Sequence, residues 1–226
     1  MGRARRGVSK ITVVSDRFDG VVGLRRGSNR LYEDGYHQSY LGENDETIDE
    51  SYTCEGGLLH SDDGPARVIQ YPNGTIREEY YQRGNLHRVD DLPAIVTTSP
   101  YNVKEEYYID GKRHRQFGPA VYDKSNDGET HHYEWWKNGQ LHSENGPAIE
   151  GVNDKGVRYT RSYINGELHS EHRAAITEYH PDGSMIEEWW LYGKRHREDG
   201  PAVIKTADDD SQQVEFWLQG ARQETP

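Results

Sequence analysis

The chain has a single cysteine, Cys54, in 226 residues. No internal disulfide framework can hold it together, and a reducing compartment is the expected setting. Phenylalanine and methionine are scarce, at 3 and 2 residues. Hydrophobic residues reach only 32%, against roughly 45–50% (glycine included) in an average soluble domain. A large round core is therefore excluded. No long apolar run occurs, so neither a membrane span nor a secretory leader is expected, and the localisation read from the sequence is cytoplasmic. Residues 1–10, which open MGRARRG, are expected to form a disordered basic tail. Positive charge is in deficit: 27 Lys and Arg stand against 39 Asp and Glu, a net charge of −12. That balance argues against direct contact with nucleic acid or an anionic membrane and favours basic partners.

What is abundant is glycine at fixed intervals. Gly57, Gly84, Gly111, Gly139, Gly166, Gly193 and Gly220 are separated by 27, 27, 28, 27, 27 and 27 residues. Gly-x-x-His travels with the first six, giving His60, His87, His114, His142, His169 and His196. A period of this length marks a repeat array in which each unit contacts chiefly its neighbours. Within one unit, Ala175–Tyr179 reads as a strand, Asp182-Gly183 as a turn, and Met185–Leu191 as a second strand ending at Tyr192-Gly193. Asn73-Gly74, Asp127-Gly128 and Lys155-Gly156 repeat the first turn; Arg83-Gly84, Asp110-Gly111, Asn138-Gly139 and Asn165-Gly166 repeat the second. Each unit is thus expected to be one β-hairpin, and no helical period is present.

The aromatic supply, 16 Tyr and 5 Trp, is concentrated in pairs before the second turn. These are Tyr80-Tyr81, Tyr107-Tyr108, Trp135-Trp136, Trp189-Trp190 and Phe216-Trp217, with Ser162-Tyr163 degenerate. Neighbours in a strand face opposite sides of a sheet, so each face should receive a ring from nearly every unit. The second ring of each pair is expected to form the hydrophobic spine between repeats. Gly-Pro-Ala recurs at 64–66, 118–120, 146–148 and 200–202, where proline begins a strand and alanine leaves room for a ring. Arg173-Ala174-Ala175 lacks both turn residues, so its loop should be altered. Residues 11–56 read as an N-terminal capping segment with a degenerate repeat, and 57–226 as the array proper.

The aromatic pair, the Asn/Asp-Gly turn and His-Arg-x-Asp-Gly-Pro-Ala resemble MORN-type repeats over about residues 57–220. The variant is similar to that of phage, giant-virus and bacterial proteins, including YwqK-like antitoxin repeats. The resemblance implies hairpins stacked into a long, twisted, single antiparallel sheet, and a scaffold or binding role. It supplies no catalytic residues. The histidine and the Gly-Pro-Ala loop depart from the standard pattern.

Six histidines in a column invite a metal-ladder reading. Hairpin units in a sheet lie roughly 9–10 Å apart, too far to share a zinc ion whose ligands sit about 2 Å away. Each ring is instead expected to hydrogen-bond a turn carbonyl or a nearby carboxylate; no metal or cofactor is expected. Glu79, Glu106, Glu134, Glu188 and Glu215 form an acidic column, broken by Arg161. It reads either as a solvated, partly paired face or as a strip that steers and holds a basic partner. With Tyr80, Tyr107, Trp135 and Trp189 these glutamates are the expected partner-binding residues. There is no phosphate loop, no Gly-x-Ser-x-Gly and no Cys/His nucleophile set, so no enzyme is expected. The sequence points first to a protein-binding inhibitor or adaptor, such as a phage product acting on a basic or nucleic-acid-binding host protein. The alternatives are an assembly component that self-associates, and a ligand-sequestering protein using the atypical unit of Arg161, Ser162 and Arg173.

Overall fold

The computed structural model describes residues 30–32, 35–41 and 48–53, where strands but (Ser51 apart) not side chains are placed, and residues 57–224. The basic tail, residues 11–29 of the capping segment, and Cys54 lie outside these residues. The described chain is all-β, without a helix, and so without one long and apolar enough to cross a membrane.

Fifteen strands form one open antiparallel sheet in chain order, each bonded to the strand before and the strand after it. The N-terminal three are Arg30–Tyr32, Gly35–Leu41 and Ile48–Thr53. Six hairpins follow: Arg67–Gln70 with Ile76–Glu79, Ile95–Thr98 with Asn102–Glu106, Val121–Ser125 with His131–Glu134, Ile149–Val152 with Arg158–Arg161, Ile176–Tyr179 with Met185–Glu188, and Val203–Thr206 with Gln212–Glu215. Alternating β-branched and polar residues suit such half-buried strands.

Each repeat holds a second hairpin that sequence patterning did not separate. The chain leaves the main sheet between the two rings of the aromatic pair and forms a miniature ribbon. Tyr81–Gln82 pairs with Asn85–Leu86, Tyr108–Ile109 with Lys112–Arg113, and Trp136–Lys137 with Gln140–Leu141; the later units do likewise. The glycine-period turn is the tip of this ribbon. Both central residues are left-handed there, as at Asn138 (φ 52°) and Gly139 (φ 83°), which defines the tight two-residue turn that matches strand twist. The first turn is of another kind. At Tyr71–Gly74 only Gly74 has positive φ (82°), and its N–H donates to the Tyr71 carbonyl. That is a type I turn closed by a glycine bulge.

The core is a column of alanines. Ala66, Ala94, Ala120, Ala148, Ala175 and Ala202 are each 0% exposed. They sit where the chain enters the sheet, and the ladder continues through them: Ala94 N–H donates to Glu106 O at 2.9 Å, and Tyr107 N–H to Ala120 O at 2.8 Å. Ile95, Val121, Ile149 and Val203 are buried beside them. The second rings of the pairs, expected as the spine, are only half-buried, because they lie on the ribbons outside this column. The Arg173-Ala174-Ala175 loop keeps the common course, with Ala175 buried and Ser162 N–H donating to its carbonyl at 2.7 Å. The altered loop is instead Arg88–Pro93, one residue longer than its counterparts, which takes up the extra residue with left-handed Asp90 (φ 61°) and Asp91 (φ 54°).

Candidate functional site

Residues directly opposite in an antiparallel sheet share a face. The register therefore sorts every side chain. One row runs Arg67, Glu79, Ile95, Glu106, Val121, Glu134, Ile149, Arg161, Ile176, Glu188, Val203, Glu215. Here glutamates alternate with buried aliphatics, on the face that the ribbon side chains reach. The row behind it runs Val68, Glu78, Val96, Glu105, Tyr122, Tyr133, Glu150, Thr160, Thr177, Glu187, Ile204, Val214. No second layer of strands covers this opposite face among the described residues.

The expected acidic strip lies in the first row, and each of its carboxylates has a cationic partner. Glu79 and Glu106 are each 5% exposed. Arg77 Nε reaches Glu79 at 2.6 Å, and Arg113 Nη2 reaches Glu106 at 2.6 Å. Glu188 takes Arg195 at 3.1 Å, and Glu215 has Arg222 at 3.9 Å. The ribbon rings complete the pairing. Trp136 Nε1 donates to Glu134 at 2.6 Å, Trp190 Nε1 to Glu188 at 2.9 Å, and Trp217 Nε1 to Glu215 at 2.9 Å. Tyr81 and Tyr108 hydroxyls donate to Glu79 and Glu106. Arg113 lies between two such rings, 5.7 Å from Tyr108 and 5.3 Å from Trp136, and Arg195 lies between Trp190 and Trp217. Burial alone would raise the Glu106 carboxyl, but Lys104, Arg113 and the Tyr108 hydroxyl outweigh it and hold it below the usual carboxylate range. Glu134 is likewise held low, its burial outweighed by His132 and Trp136. Arg161, at the broken position, bonds Glu178 at 3.4 Å. Most of these contacts tie a ribbon or strand to the glutamate of its own unit, while Arg113 Nη1 also reaches Glu134 of the next unit at 3.7 Å.

The second acidic set, Glu78, Glu105, Glu150 and Glu187, sits half-exposed on the opposite face. None forms an ion pair with a cation among the described residues; Glu105 alone accepts a side-chain bond, from the Tyr107 hydroxyl at 2.8 Å. Tyr107 in turn is pushed up to about 12 by burial and by that carboxylate. Tyr122 and Tyr133 stack at 5.0 Å, His131 stacks on Tyr133 at 4.9 Å, and Trp135 meets Tyr133 edge-on at 6.4 Å. An aromatic patch is thus set between Glu105 and Glu150 along the row. Of the four rings expected to bind a partner, Tyr107 is buried, while Tyr80, Trp135 and Trp189 are half-buried.

The histidine column meets nearby carboxylates as expected at His60 and His142, but the expected bond to a turn carbonyl is replaced by another. Each Nδ1 accepts a hydrogen bond from a turn N–H of the next ribbon rather than donating to a carbonyl. The donors are Arg83 to His60, Asp110 to His87, Asn138 to His114, Asn165 to His142, Tyr192 to His169 and Gln219 to His196. The distances run from 3.1 to 3.3 Å. An accepting Nδ1 leaves the proton on Nε2, which faces Asp62 from His60 and Glu144 from His142 at 3.3 Å in both cases. The ribbons are stapled a second time through the backbone, as by Gly139 N–H to Arg113 O at 2.8 Å. Among the described residues no three His, Cys, Asp or Glu side chains gather so as to hold a metal ion.

One non-repeating cluster was not foreseen. The Tyr159 hydroxyl lies 2.8 Å from His132 Nδ1, and His132 Nε2 lies 2.8 Å from Glu134 Oε1. Gly151 makes it possible, because a Cβ there would run into the Tyr159 ring and the His131 carbonyl. Gly151 and the adjacent His131-His132 pair were the sequence signals available. Burial and the Glu134 and Asp123 carboxylates push the Tyr159 hydroxyl up, against the pull of Arg161. A phenol kept neutral in this way is a poor nucleophile.

No family model matches the chain, and no curated protein is detectably similar to it.

Proposed function

We propose that this chain is a non-enzymatic protein-binding module, an intracellular inhibitor or adaptor that takes a basic protein partner on the face carrying Glu78, Glu105, Glu150 and Glu187. The observation that supports this most is the contrast in pairing. Carboxylates of the ribbon side have cations and ring donors; those of the opposite side form no ion pair among the described residues, Arg115 acting on Glu105 only at longer range. Unpaired carboxylates across a broad sheet give a field that attracts and orients cationic surface. The net charge of −12 acts in the same sense. The Tyr122, Tyr133 and Trp135 patch supplies amphipathic contact area of the kind that dominates binding energy. The likeness to MORN-type arrays implies the same class of role.

The experiment is capture of a cationic protein from lysate by the wild-type chain and by the Glu78→Lys, Glu105→Lys, Glu187→Lys triple variant. Capture lost in the triple variant, and weakened steeply by salt, supports the reading. Capture unchanged by both removes it.

A further inference from the structure

Three of the rings at which the chain leaves the sheet carry an arginine of their own unit. Arg88 lies 3.6 Å from the Tyr80 centroid, Arg115 lies 3.8 Å from Tyr107, and Arg197 lies 4.0 Å from Trp189. The same guanidinium then donates through Nη1 to a proline carbonyl. Arg88 bonds Pro93 O at 3.1 Å, Arg115 bonds Pro119 O at 3.2 Å, and Arg197 bonds Pro201 O at 3.3 Å. Ring face, proline carbonyl and guanidinium recur as one device: the plane stacks while its edge donates.

Trp135 has the ring and the carbonyl but no arginine. Ser143 stands where Arg88, Arg115 and Arg197 stand in their units. Its backbone keeps the common course: Ser143 N–H donates to Tyr163 O at 3.1 Å, as Arg88 N–H donates to Tyr108 O and Arg197 N–H to Trp217 O. The Pro147 carbonyl, equivalent to the three acceptors above, receives no hydrogen bond among the described residues. Trp135 also sits in the aromatic patch, against Tyr133. Across the strand pair from Tyr133 is Glu150, one of the carboxylates without a cation.

We infer that Trp135 and the Pro147 carbonyl receive an arginine side chain from the protein partner, with Glu150 supplying the local negative charge. This rests on the reading of the opposite face as a protein-binding surface, and it names the residue that enters. The partner's guanidinium takes the place that Arg88, Arg115 and Arg197 fill internally. Arginine is selected over lysine because an ammonium cannot stack flat and donate in plane at once.

The geometry supplies its own test. Ser143→Arg installs the internal guanidinium and so occupies the site while keeping the fold. The probe is a fluorescein-labelled hexa-arginine peptide, read by anisotropy at moderate salt, with hexalysine and free arginine for comparison. Ser143→Arg and Trp135→Ala are each expected to weaken hexa-arginine binding by about tenfold. Ser143→Ala should leave it unchanged, and hexalysine should bind the wild type several-fold more weakly. An unaltered urea midpoint for Ser143→Arg shows that the loss is not unfolding. Equal binding by wild type and Ser143→Arg, equal affinity for the two peptides, or no hexa-arginine binding at all overturns the inference. Free arginine competing as well as the peptide overturns the assignment to a protein partner. If Ser143→Arg has no effect while the Glu78, Glu105, Glu187 triple variant abolishes peptide binding, the arginine site falls and the broader reading stands.

Discussion

Glu105 and Glu106 are neighbours in the chain, as are Glu78 and Glu79, and Glu187 and Glu188, yet the two members of each pair meet opposite fates. Glu79, Glu106 and Glu188 are enclosed by arginines and ribbon rings. Glu78, Glu105 and Glu187 lie half-exposed on the opposite face and form no ion pair among the described residues. The peptide plane between them is the only difference in their position. The lesson is that an acidic run in a thin sheet is two populations: one side is tied into the fold, and the other forms no ion pair within it.

The comparison breaks first where a buried carboxylate is removed. Glu106→Ala leaves Arg113 half-buried between two rings with its main partner gone, and should cost about 3 kcal/mol of stability. Glu187→Ala should cost under about 0.5 kcal/mol. Urea unfolding of the two variants side by side checks the contrast. Similar losses for both would erase the distinction between the faces.

Acid provides a second probe. Glu106 and Glu134 have native carboxyls held below their ordinary range, so their contribution is full above the unfolded value and is lost as pH falls through the depressed native values. Stability should therefore decline on the acid side of neutrality, and Glu106→Gln should show a shallower decline than wild type. Circular dichroism melts across an acid series measure this; parallel curves would contradict it.

A smaller effect is expected from one staple. His114→Ala removes the acceptor for Asn138 N–H and should cost about 1 kcal/mol. His114→Asn, which keeps a side-chain acceptor at shorter reach, should restore part of that. The smallest effect is Glu187→Lys on stability, within about 0.5 kcal/mol. On the proposed reading the same substitution should lower affinity for a cationic protein, as measured by titration against that protein; unchanged affinity would count against the reading.

The repeat, its strands and the glutamate and histidine columns were legible in the sequence, because identical positions recur at a fixed interval. The exit of the chain between Tyr80 and Tyr81 was not. Two-residue ribbons are too short to show a period, so the aromatic pair reads as two positions of one strand. The orientation of the glutamates had a faint signal in Arg113, Arg195 and Arg222, each two residues past a turn glycine. Leucine at the same place in the other units (Leu86, Leu141, Leu168) obscured it. The nearby carboxylates facing Nε2 were legible, but the partner of Nδ1 was not, since it accepts from a residue 23 or 24 positions ahead, across a stacking contact that only three dimensions supply.

The hairpin tips carry a consequence of their own. The tip at Ser99–Tyr101 is one residue shorter than its counterparts and the tip near Asp127-Gly128 one longer, yet Val121 still faces Glu106 on one side and Glu134 on the other. Length changes at these ends leave the alanine column undisturbed. The row of tips is accordingly a margin where foreign loops could be grafted, one per unit and roughly 10 Å apart, turning the molecule into a ruler for displaying evenly spaced peptides.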